Sequence, residues 1–174
     1  MKKIAKIFTI IFIVFLSNKA LLADTPHFLD FKLILNESDA GKKAQSFLKK
    51  KLEGGIKALK SKEIKIQEEE KKIIQQKKVI SAEEYKKKVT ELRNKVTSLQ
   101  KERNKLLETV SKQRTKARNE LLKNLNPIIK QYMEENKIRM VVDKKSLLLA
   151  DENLNITKDI MNLLNKKLKS INLN

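Results

Sequence analysis

Cysteine and tryptophan are absent from this chain, histidine occurs once, and three glycines and two prolines are all that interrupt 174 residues. Without cysteine there can be no disulfide, no thiolate nucleophile and no cysteine-ligated metal, so stability must come from packing or from association of several copies. A single histidine, His27, cannot build a multi-histidine zinc site and reads as an ordinary strand or surface residue. The few glycines form no loop that could cradle a nucleotide phosphate, and no pair of carboxylates falls where a pocket would raise a pKa. Together these absences argue against an enzyme and imply no cofactor and no metal.

Charge of one sign is in excess instead. Forty Lys and Arg stand against 21 Asp and Glu, a net +19. The chain opens with Lys2, Lys3 and Lys6, followed by an apolar run from Ile7 to Leu16. That run has the length of a signal-peptide core and falls short of the roughly 20 residues a membrane-spanning helix needs. Residues 1–23 are therefore expected to be an export signal cleaved after Ala23. Leu21 stands where a small residue is preferred, and cleavage after Ala20 is the alternative. Setting aside Lys2, Lys3, Lys6 and Lys19 leaves 36 basic and 21 acidic residues from Asp24 onward, a net +15.

The stretch 42–136 contains two glycines and one proline and is rich in Lys, Glu, Leu, Ile and Gln. It has too few large apolar residues for a globule and reads as extended helix. Ser81-Ala-Glu-Glu84 fits a capping box, so a helix is expected to start at about Ala82 and the preceding one to end near Val79 or Ile80. Before that point Leu52, Leu59, Ile66, Ile73 and Ile80 fall at intervals of seven. After it Leu92, Leu99 and Leu106 do the same, with Val89, Val96, Val110 and Ala117 on partner positions. Sustained sevens mean a coiled-coil seam. Folding back at the cap would set Ile73 beside Val89, Ile66 beside Val96, Leu59 beside Arg103 and Leu52 beside Val110. Each arm would extend roughly 55 Å at the helical rise of 1.5 Å per residue. Gly54-Gly55 is expected to bend the first helix.

Both ends of the chain turn apolar. Residues 26–32 read as a strand with Pro26 at its start. Residues 138–143 and 147–150 read as two strands of a hairpin across Asp143-Lys-Lys-Ser146, although that turn lacks the preferred glycine. Thr157 is expected to cap a last helix whose apolar face is Ile160, Leu163, Leu164, Leu168 and Ile171. The fold class is mostly α with a small, strand-rich body formed by residues 24–43 and 128–174. A long antiparallel helical hairpin, residues 44–127 with its tip near 79–82, projects from it. A body of some 50 residues is marginal alone.

Residues 29–44 (LDFKLILNESDAGKKA), 138–150 (IRMVVD, KKSLLLA) and 154–164 (LNITKDIMNLL) resemble the first strand and helix, the paired C-terminal strands and the last helix of the Skp/OmpH family of periplasmic chaperones. Ser81-Ala-Glu-Glu-Tyr85 resembles the family's arm tip. The likeness spans essentially the whole chain after the signal. It departs where many relatives have a glycine before the second strand: here Asn136-Lys137 stands, and Asn136 is expected to take the left-handed backbone that ends the helix. The resemblance implies a periplasmic homotrimer whose body is the trimerisation domain. It implies an ATP-independent holdase for unfolded outer-membrane proteins.

The charge pattern adds a mechanism. Residues 42–136 hold 27 basic and 13 acidic side chains, so +14 of the +15 lies on the arms. Alternating Glu and Lys often mean only a solvated helix face, but a self-paired helix needs balanced charge. The surplus points to an electrostatic grip on clients, with Lys57, Lys60, Lys65, Arg93, Lys95, Lys101, Arg103 and Lys105 as candidate contacts. An anionic membrane or lipid surface is a further candidate partner. A nucleic-acid binder using residues 112–118 (KQRTKAR) is the alternative from another class. The export signal and the scarcity of arm aromatics (Phe47, Tyr85, Tyr132) oppose it, so no physiological nucleic acid is expected. A retained signal segment would instead give a membrane-anchored structural coiled coil.

Overall fold

A computed structural model describes residues 25–173. The expected signal segment and both cleavage sites lie outside the described residues. The elements run β1 (His27–Leu29), α1 (Phe31–Glu37), α2 (Asp39–Gln76), α3 (Ala82–Glu135), β2 (Val141–Asp143) and α4 (Thr157–Lys167). Two short 3-10 turns, Lys144–Ser146 and Glu152–Leu154, separate β2 from α4.

The two long helices, of 38 and 54 residues, dominate the molecule. Ser38 starts α2: its fully buried hydroxyl accepts from the Gly41 N–H at 3.2 Å. Gly41 has no room for a side chain, because a Cβ there would sit 2.2 Å from the Leu35 carbonyl oxygen. Ser81 starts α3, its Oγ accepting from the Glu84 N–H at 3.1 Å. The Glu84 carboxylate lies 3.7 Å from Lys88 Nζ, its i+4 neighbour. Between the helices Lys88 donates to Gln76 at 2.9 Å, Lys95 to Glu69 at 2.6 Å and Lys62 to Glu102 at 2.5 Å. Numbers that rise along one helix fall along the other, so the two run side by side in opposite directions.

On α2, Leu59 and Ile73 are buried in the seam. On α3, Val89, Leu92, Leu99 and Leu106 are half-buried. Val96, expected against Ile66, is half exposed. The heptad leucines form the α3 side of the seam there. The expected bend at Gly54-Gly55 is replaced by a helix that runs through both residues without a break. Gly55 serves a close approach, since a Cβ there would lie 2.5 Å from Leu106 Cδ2, while Gly54 faces open space.

Helix α3 continues through the exposed Pro127, flanked by the buried Leu125 and Ile128. It ends in a Schellman motif. The Ile138 N–H donates to the Met133 carbonyl at 2.9 Å and the Lys137 N–H to that of Glu134 at 3.4 Å. The left-handed residue is Lys137 (φ 57°), while the expected Asn136 keeps φ at −100°. The motif places its left-handed residue one position past the cap, and here that position holds a lysine.

The strands differ most from expectation. The body is not strand-rich: its sheet has two strands of three residues each. They pair in parallel, His27 with Val141, Phe28 with Val142 and Leu29 with Asp143. A hairpin between 138–143 and 147–150 does not form. Asp143 instead starts a 3-10 turn, its carboxylate accepting from the Lys145 N–H at 3.3 Å. Leu148 and Leu149 then stand 98% and 92% exposed. The expected strand 26–32 stops at Leu29, because Asp30 accepts from the Leu33 N–H at 2.7 Å and starts α1.

Thr157 is not the cap of the last helix. Asn155 Oδ1 accepts the Thr157 N–H at 3.1 Å, and the buried Thr157 hydroxyl accepts from the Asp30 N–H at 2.8 Å, tying the two ends of the chain together. Helix α4 ends at Lys167, so Leu168 and Ile171 lie beyond it. The body core joins Leu29, Ile34 and Ala40 to Leu121, Leu125, Ile128 and Ile138 and to Ile156, Ile160 and Leu164. Each fully buried Leu or Ile contributes on the order of 1.5–3 kcal/mol. A second cluster, Ala44, Leu48, Val110, Ala117 and Leu173, joins the roots of α2 and α3 to the end of the described chain.

Candidate functional site

Two surfaces stand out, a basic one along the paired helices and an apolar one on the body. Long lysine and arginine stems on a two-helix arm have nowhere to go but outward, because the seam takes only every third or fourth side chain. Lys57, Lys60, Lys65, Arg93, Lys101 and Lys105 are exposed and enter no ion pair among the described residues. The other two expected contacts are engaged within the arm: Lys95 with Glu69 at 2.6 Å and Arg103 with Glu63 at 4.0 Å. Arg103 is thus a cross-arm partner near Leu59, and sequence spacing could not reveal that a glutamate one turn away would claim it.

Lys62 and Glu102 form a third cross-arm pair at 2.5 Å, and the other ion pairs on the arm are local. Lys112 sits against Glu108 at i+4 and, through that hydrogen bond, holds the Glu108 carboxyl below its usual range. Such exposed pairs contribute little and leave the net field positive. At the turn Ile74 and Val79 are 59% and 84% exposed beside Lys77 and Lys78, and Lys77 Nζ lies 5.8 Å from the Tyr85 ring centre. The heptads do not mark out that apolar, basic tip, because Ile74 and Val79 fall outside them.

At the arm root an open groove of about 820 Å³ runs between α2 and α3. Its wall includes Leu48, Leu52 and Val110 together with the cations Lys49, Arg114 and Arg118. On the body a second groove, about 580 Å³, lies beside β2 and is lined by Phe31, Ile129, Met133, Met140 and Val141. Met140, just before β2, is 57% exposed, and Leu148 and Leu149, in the segment after β2, are exposed almost fully.

Among the described residues no group of three or more His, Cys, Asp or Glu could hold a metal ion. Among them, too, no helix is long and apolar enough to cross a membrane. Tyr132 donates to Asp159 at 3.1 Å; burial first, and then that hydrogen bond, push its phenol up from the usual 10.0. It stays neutral and joins α3 to α4.

Comparison with known proteins places this architecture. No curated protein matches the chain. Among solved structures, a candidate outer membrane chaperone (OmpH-like) from Caulobacter crescentus CB15 superposes with a TM-score of 0.79. At 19% identity, over 85% of this chain and 89% of that one, the match shows a shared fold. The model of the family described as outer membrane protein (OmpH-like) matches residues 27–164. The chain belongs to the OmpH-like family.

Proposed function

We propose that this protein is an ATP-independent holdase of the periplasm that keeps unfolded outer-membrane proteins soluble. In this reading residues 1–23 are removed on export. Three copies join through bodies made of residues 24–43 and 128–174, and the helical hairpins of residues 44–127 surround a shared space. The observation that carries the reading is the row of exposed cations on the arms that no acidic neighbour neutralises: Lys57, Lys60, Lys65, Arg93, Lys101 and Lys105. A field of that sign speeds capture of acidic chains over a distance of about 8 Å at physiological salt. The aliphatic stems then offer apolar contact without a rigid pocket. The apolar face beside β2 favours assembly, because a sheet edge and a leucine pair exposed in one copy gain cover in three.

The test is light scattering of a urea-unfolded outer-membrane barrel diluted into buffer without ATP, across a salt series. Suppression that weakens as salt rises is expected. Changing Lys57, Lys60, Lys101 and Lys105 to Gln should slow capture while leaving the assembly intact. Absence of suppression at every salt concentration would remove the chaperone reading. Suppression indifferent to salt and to the Lys changes would discard the electrostatic mechanism.

The exposed Ile74 and Val79 beside Lys77 and Lys78 favour a second partner for the same arms, an anionic lipid surface. Co-sedimentation with phosphatidylglycerol vesicles, lost when Val79 becomes Asp, would support it. Equal sedimentation with neutral vesicles would oppose it.

A further inference from the structure

We infer that the cleft at Gln113 between the roots of α2 and α3 is a binding site for extended apolar peptide, occupied in this structure by residues 168–173 of the chain itself. On the holdase reading, a client segment of the same pattern displaces that tail. The tail lies beyond residues 27–164, the stretch the family model matches.

Past Lys167 the helix stops: Leu168 is extended at φ −127° and ψ 106°, and a bend follows at Lys169. In an extended chain residues two apart share a face. Ile171 and Leu173 use that spacing. Leu173 is 4% exposed and packs with Ala44, Leu48, Val110 and Ala117, and Ile171 packs where the two clusters meet. Two alanines in the wall leave depth for a leucine. This is how an unfolded strand with alternating apolar residues would seat itself.

The polar contact reads backbone and not side chain. Gln113 Nε2 donates to the Leu173 carbonyl at 2.5 Å. Its other amide atom, Oε1, is buried and has no partner. A carboxamide whose donor holds one peptide carbonyl and whose buried acceptor is free is equipped to take a peptide N–H as well, whatever the peptide's sequence. A further tie of the tail is the ion pair of Lys169 with Asp39 at 2.9 Å, both exposed. An exposed pair adds little, so that tie does not stand in the way of exchange.

The experiment uses the full chain and a fluorescein-labelled peptide with the sequence of residues 168–174. Leu173→Asp puts a charge in the apolar cleft and expels the tail. Fluorescence anisotropy should show the peptide binding this variant about tenfold more tightly than the unaltered protein, since an occupied site lowers apparent affinity by the fraction that is free. Gln113→Leu added to that variant should abolish the gain. Hydrogen exchange of residues 44–52 and 106–117 reports whether the arm root stays folded; where Leu173→Asp loosens it, Leu173→Ser takes its place in the same comparison. Equal binding to both proteins, or a gain indifferent to Gln113, overturns the inference. Release of bound peptide by a urea-unfolded barrel protein tests the client half. If the peptide binds but barrels still aggregate, the site stands and the holdase reading falls. If barrels are held and the peptide binds neither form, the reverse holds.

Discussion

Lys137 is the only non-glycine residue with positive φ among those described, at 57°. A side chain in that backbone region costs about 1 kcal/mol or more, and glycine does not bear the cost. Lys137→Gly should therefore stabilise the protein by about 1 kcal/mol, read as a higher urea midpoint. An unchanged or lower midpoint would mean the helix end is not the Schellman motif described. Asp39 gives a pH-dependent counterpart. The hydrogen bond from Lys169 holds its carboxyl below the ordinary 3.8 against the opposing effect of desolvation, with the charges of Lys169, Lys43 and Lys42 adding to the lowering. A depressed carboxyl contributes stability above the ordinary value, and that contribution disappears as pH falls through the folded value. Asp39→Asn should lower the urea midpoint near neutral pH and leave it unchanged at about pH 2. A difference that persists in acid would mean the carboxylate's charge is not responsible. Capping is partly legible in the sequence at this scale. Ser81 is marked by its own neighbours, but Thr157 is not. Its local pattern suggests a cap, and its hydroxyl instead receives an N–H from residue 30, a contact 127 positions away.

At the scale of elements the two glycines of α2 separate propensity from packing. Gly54→Ala should stabilise by about 1 kcal/mol, the helix-propensity difference, because its Cβ meets nothing within 4 Å. Gly55→Ala should gain less or lose, because Leu106 must move from 2.5 Å. Equal urea midpoints for the two variants would mean the helices are farther apart than described. The long helices are readable because heptads and caps are local signals repeated over many residues. The strands are not. Residues 138–143 carry the β-branched density of a strand, but composition does not name a partner. The nearest apolar run, 147–150, is the obvious choice, whereas the partner is 27–29, joined through the whole arm. Parallel pairing leaves no turn signature in the sequence. The end of α4 is misread for a related reason: Leu168 and Ile171 continue a helical period, but they lie past the end of the helix and pack against the core from there.

For the whole molecule, the surplus of cations can be counted along the chain. Which of them stay unpaired cannot, because Lys95 and Arg103 find partners only across the arm. In the proposed trimer the apolar face beside β2 is the contact between copies. Val141→Asp puts a charge in that face, and its burial against another copy would cost several kcal/mol. The variant should lose the trimer and run as single chains in sedimentation; a stable trimer would place the interface elsewhere. The central claim, that three copies hold an unfolded chain between basic arms, is tested most directly by the mass of the purified protein under native conditions. Alone it should be that of three chains. After mixing with a urea-unfolded outer-membrane barrel, without ATP, it should rise by one client, and the added mass should diminish as salt increases. A protein that weighs as one chain, or three chains that never gain a client, would contradict the account.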